Sequence, residues 1–144
     1  MKKDHIRDYA TEAFRFYAKS KGKDEYIKYL MADITRNKGS GVCSPTESAL
    51  LIKEKIIESR ASEFADIEAV DKVLLILGQT SQGYYMRQAI EMVYFKDCDE
   101  DIVKGEISDR IHYAELHIPA SERQIYYWLK KARTLFAEER GLRF

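Results

Sequence analysis

From Asp4 almost to the end of the chain, apolar residues return every three or four positions, and this spacing limits the fold more than any other feature. Ile6, Tyr9, Ala10, Ala13, Phe14 and Tyr17 fall on one stripe of a helix over 4–22. Tyr26, Tyr29, Leu30 and Ile34 mark a second, shorter helix that ends near Asn37. A third opens with a start signal: Ser44 as N-cap, Pro45 at the first helical position and Glu47 three residues after the serine. Ala49, Leu50, Ile52, Ile56 and Ile57 then keep helical spacing to about residue 58. Ile67, Val70, Val73, Leu74 and Leu77 line one side of a helix over 63–77, and Gly78 is its natural stop. Further helices are expected over 84–95, 102–116 and 121–139. No two-residue alternation or hairpin dipeptide argues for a strand. The expected fold is all-α, a helical array.

Two prolines, seven glycines, 45% hydrophobic and 33% charged residues fit a globular helical chain and not a disordered one. Residues 37–44, Asn-Lys-Gly-Ser-Gly-Val-Cys-Ser, form the one Gly/Ser-rich stretch and the best linker candidate. The chain therefore divides into an N-terminal helical segment with linker, 1–43, and a helical domain, 44–144.

Lysine and arginine total 24, as do aspartate and glutamate, so any nucleic-acid binding must come from a local patch. Residues 1–23 offer one, with seven basic side chains against three acidic. Cys43 and Cys98 lack C-x-x-C spacing, and no secretory segment or apolar run of about 18 residues is present. Reduced thiols in a cytoplasm, with no membrane partner, are expected.

The densest punctuation lies in residues 107–136. Ile107, Ile111 and Ala114 form the stripe of a first helix, and Ile118 can tuck under the turn that follows. Pro119 lacks an amide donor and ends that helix. Ser121 and Gln124 make an S-x-x-Q capping box that starts the second. On this last helix Ile125, Trp128, Leu129, Ala132, Leu135 and Phe136 cluster on a core side, while Arg123, Tyr127, Lys130, Lys131 and Thr134 lie opposite, with Gln124 at the margin. A helix-turn-helix over about 102–139 is expected. Arg123, Gln124 and Tyr127 would meet base edges; Lys130, Lys131 and Arg133 would meet phosphates. An ordinary solvated basic face has the same periodicity.

The stretch Ile107-Ser108-Asp109-Arg110-Ile111 followed by Ile118-Pro119-Ala120-Ser121-Glu122-Arg123-Gln124-Ile125-Tyr126-Tyr127-Trp128-Leu129-Lys130-Lys131-Ala132 resembles the helix-turn-helix of sigma factor region 4. More narrowly, residues 44–144 resemble the ArpU/RinA group of phage late-gene transcriptional regulators, through residues 67–77, 84–95 and the ending Leu135-Phe136-Ala137-Glu138-Glu139 as well. The resemblance implies sequence-specific binding of double-stranded DNA in a bacterial host, adjusting transcription through RNA polymerase. The chain departs from the family's compact turn by the extra residues His112-Tyr113-Ala114-Glu115, so either the first helix is a turn longer or the turn is looser.

Other chemistries fit poorly. In an EF-hand beginning at Asp97, Ile102 would stand where glycine is required and Ser108 where glutamate is required, so Asp99 or Asp101 is read as a helix cap in a solvated acidic turn. Cys98, His112 and His117 match no zinc spacing, and Gly39-Ser40-Gly41 lacks the G-K-[ST] of a phosphate loop. No nucleophile–base set appears; neither an enzyme nor a cofactor is expected. The alternatives are a helical adaptor for RNA polymerase or another protein, and a small terminase-like packaging protein. A homodimer would suit a palindromic site.

Overall fold

The computed structural model describes residues 5–38 and 45–142, with side chains described for 5–33 and 50–142. Among these residues helices follow one another with no strand: α1 (His5–Ser20), α2 (Lys23–Lys38), α3 (Pro45–Ser59), α4 (Ala61–Gly78), α5 (Gly83–Ile90), α6 (Glu106–His117) and α7 (Glu122–Arg140). α5 runs directly into a π-helical turn, Glu91–Phe95. Asn37 and Lys38, read as the start of the linker, still belong to α2. Residues 39–44 and the Ser44–Glu47 cap lie outside the described residues, while Pro45 does open α3.

α4 organises the molecule. Phe64, Ile67, Ala69, Val70, Val73, Leu74 and Leu77 are all buried, so this helix is apolar on more than one face and is covered on each. Its first turns close a small core with Tyr26, Ile27 and Leu30 of α2 and Ile56 of α3. Its later turns enter a larger core with Phe14 of α1, Ile90 of α5, Val93 and Tyr94 of the π turn, Ile111 of α6 and Trp128, Leu129 and Phe136 of α7. The described part of the N-terminal segment is thus shared between cores. α1 packs into the larger one and α2 into the smaller.

Close packing at the α4–α5 corner requires a glycine. A Cβ on Gly83 would lie 2.4 Å from the carbonyl oxygen of Leu77, backbone that has nowhere to move. At the end of the next helix, the amide of Lys96 donates to the carbonyl of Glu91 at 3.0 Å, the wide bond of a π turn. The extra residue in that turn lets consecutive Val93 and Tyr94 both face inward, while Phe95 stacks on Tyr17.

Two arginines are buried where this helix ends. Nη1 of Arg15 donates to the carbonyl of Tyr94 at 3.2 Å and more weakly to that of Lys96; its Nη2 donates to Asp97 O at 2.8 Å and also to Glu100 O. Arg110 donates to Val93 O at 2.9 Å, Lys96 O at 2.7 Å and the Glu106 carboxylate at 3.0 Å. The last carbonyls of a helix have no intrahelical donor, and a guanidinium's five N–H groups can serve several at once. The acidic turn therefore wraps its backbone around Arg15 and leaves the side chains of Asp97, Asp99, Glu100 and Asp101 exposed.

This arrangement corrects the expected start of α6. The helix begins at Glu106, not near Ile102, and neither Asp99 nor Asp101 caps it. Gly105 holds the N-cap position at φ +86°, a left-handed conformation natural to glycine, with no side-chain cap bond. Glu106 instead accepts from the Val103 amide at 3.0 Å. That backbone donor, and Arg110 after it, hold the Glu106 carboxyl below its usual range.

The small core carries a titratable lock. Tyr26 donates its hydroxyl to Glu63, and Tyr17 donates to Asp71 across to α4. Burial, then these bonds to carboxylates, push both phenols up to about 12 from 10.0. A raised folded value favours the fold while the phenol is protonated, so this contribution is complete below pH 10 and is lost as pH rises through about 12. Thermal unfolding followed across that window should show a steep loss for the parent chain and a shallower one for the Tyr17→Phe/Tyr26→Phe variant. Equal slopes would exclude the lock.

Candidate nucleic-acid interface

α6 and α7 meet at a short turn. The amide of Ile118 donates to Ala114 O at 2.9 Å, closing α6, and the amide of Ala120 donates to Ile118 O at 2.7 Å. Ile118 is buried beneath the turn and Pro119 is exposed, as their chemistry demands. The turn is tight, and His112, Tyr113, Ala114 and Glu115 all lie within α6. Ser121 stands at the N-cap in extended backbone, and its Oγ accepts from the Gln124 amide at 3.2 Å.

α7 is fixed to the body by Ile125, Trp128, Leu129, Ala132 and Phe136, all buried, with Leu135 packed against them; the expected core side is the observed one. Phe136 meets Phe14 and Tyr9 of α1 at ring-centroid distances of 6.0 Å each. The first turns of α7 stay open. Arg123 and Lys130 are exposed, and Tyr127 between them is 63% exposed. At helical spacing of four and three residues, these groups share one face. Ser121 is exposed at its head and Gln124 is half-buried beside it. Arg123, Lys130 and Lys131 make no ion pair among the described residues.

The other expected contacts are less available. Lys131 and Thr134 are half-buried, because the second half of α7 sinks between α1 and α4. Arg133 turns inward: its Nη1 donates to the Tyr94 hydroxyl at 2.8 Å, which removes it from the outer face where phosphate contact was expected. Tyr126, which periodicity alone left unassigned, is exposed beside Tyr127 and lines a cleft against α1.

Acidic groups flank the turn on the α6 side. Nδ1 of His112 lies 3.3 Å from Glu122, and their donor atoms together with Glu115 fall within 4.8 Å of one another. Such a set has the donors for a transition-metal ion, but an exposed imidazole paired with one carboxylate and flanked by a second accounts for it fully. His117 packs its ring on Tyr113 at a centroid distance of 4.3 Å, and neither it nor Cys98 belongs to this group of donors. The rejected Cys98–His112–His117 trio is not brought together among these donors. No described helix is long and apolar enough to cross a membrane.

The chain matches no family model, no curated protein and no solved structure.

Proposed function

We propose that this chain is a sequence-specific DNA-binding regulator of transcription, of phage or prophage type, with α6 and α7 acting as its helix-turn-helix. The observation that supports the reading best is the contrast along α7. One face is anchored by Trp128 and Leu129, while the N-terminal half presents Arg123, Tyr127 and Lys130 without internal partners. A rigid helix offering a guanidinium, a phenol and an ammonium from its first turns suits entry into a major groove. Arg123 is the base-reading candidate and Lys130 the phosphate contact, with Gln124 and Ser121 at the helix entrance. Lys131 contributes from the edge of the face. The sigma region 4 resemblance supports the same assignment. No catalytic role is proposed for any residue.

One observation favours a second reading, a protein adaptor. Leu116 is 82% exposed at the end of α6, close in sequence to exposed Tyr113, and apolar groups of this kind serve protein contacts better than phosphates. Selection of bound sequences from a pool of random 30-base-pair duplexes, followed by fluorescence anisotropy of the recovered duplex, separates the two. The DNA reading expects an enriched motif with affinity that falls steeply with salt. An unenriched pool together with salt-independent, negligible binding rejects it.

A further inference from the structure

α1, α6 and α7 enclose a cleft of about 440 Å³, within the range of small-molecule sites. Its bed is apolar: Ile107 and Ile102 are half-exposed to it, over Ile111 and Leu129, with the Tyr126 ring at one side. Arg133 reaches into this space from α7. It is half-buried, and the neutral Tyr94 hydroxyl is its one hydrogen-bond partner; it meets no carboxylate within 4 Å among the described residues.

Among the buried and half-buried arginines that isolation is unusual. Arg15 and Arg110 are buried too, but each is surrounded by carbonyls or a carboxylate. The Arg133 nitrogens that the Tyr94 hydroxyl does not meet stay open to solvent, and a guanidinium with free donors beside an apolar bed can pair with an anion that supplies two oxygens. Of the acids at the rim, Asp8 lies 3.9 Å from Arg7, and Glu12 is exposed to solvent, where its repulsion of an anion is screened.

We infer that the cleft is a binding site for a small amphipathic carboxylate, its anionic head on Arg133 and its apolar body along Ile102, Ile107 and the Tyr126 ring. The site is independent of the DNA reading, since none of its contacts uses the outer face of α7.

Three probes with one apolar body distinguish the heads: octanoate, octanamide and octylamine, titrated calorimetrically into the full chain. Amide chemical-shift mapping shows where each binds. Octanoate should bind saturably, with shifts at Thr11, Ile107 and Tyr126, and about tenfold or more tighter than octanamide, the value of a charge-assisted pair over a neutral one. Octylamine should be weakest. Arg133→Gln should erase the preference for octanoate, and Arg133→Lys should retain part of it. Equal binding of all three, tightest binding of octylamine, or no shift in the cleft at millimolar octanoate overturns the assignment. The probe series on the parent chain decides even if a variant fails to fold.

Discussion

Replacing Phe136 by alanine is expected to lower the free energy of unfolding by about 3–5 kcal/mol, the usual cost of emptying an aromatic site that cannot collapse. The ring is fully buried. It packs on Phe14 and Tyr9 of α1 from the distal half of α7, and Trp128 and Leu129 hold the preceding turns. The void would open where α1, α4 and α7 converge, so relaxation of one helix would disturb two others. Urea denaturation measures the change directly, through a lower midpoint at constant slope. Phe136→Leu, which refills part of the volume, should recover a good share. A loss under about 1 kcal/mol for the alanine variant would mean that α7 is not anchored through this ring.

Replacing Arg15 by methionine should cost about 2–4 kcal/mol, although the substitute is apolar and of similar length. Methionine fills the space but leaves the carbonyls of Tyr94, Asp97 and Glu100 without that donor; the buried one, on Tyr94, costs about 1–3 kcal/mol, and the part-buried two cost less because water can reach them. Arg15→Lys should not restore the loss, because a single ammonium cannot span carbonyls on both sides of the turn. The damage should be local first. Hydrogen exchange should accelerate in residues 96–101 before it does in α4. Unchanged protection there would show that the acidic turn holds its shape without the arginine.

These two residues also mark what could and could not be read from sequence. Phe136 lies on the stripe with Ile125, Trp128 and Leu129, and a 3.6-residue period suffices to place it inward. Ser121 was legible as a cap because an N-cap is a local bond, made here to Gln124 three residues on. Arg110 left a faint signal, since it sits on the stripe of Ile107, Ile111 and Ala114. Arg15 is adjacent to Phe14, but nothing local says which carbonyls would receive it, some 80 residues away. Arg133 is the same case in reverse. A helical wheel puts it near the basic face, and only the position of Tyr94 turns it inward.

The π turn and the late start of α6 were illegible for a related reason. Residues 91–95 are as apolar in an α-helix as in a π turn, and the choice depends on both Val93 and Tyr94 finding room in the core. Residues 102–105 look like the start of a helix until Gly105 turns left-handed and Glu106 reaches back to Val103. The membership of α1 in the larger core follows the same logic, since an apolar stripe states that it must be covered but not by what.

If the open half of α7 reads DNA, two substitutions on it should act on binding in different ways. On a duplex recovered by selection, Arg123→Ala should weaken binding by about 1–3 kcal/mol and narrow the gap between that duplex and a scrambled one. Lys130→Ala should weaken both duplexes alike and reduce the slope of log affinity against log salt by about one. Anisotropy at several salt concentrations reads both effects in one experiment. Affinity and salt slope unaltered by either substitution, in chains that keep their helical spectrum, would exclude DNA readout by this face of α7.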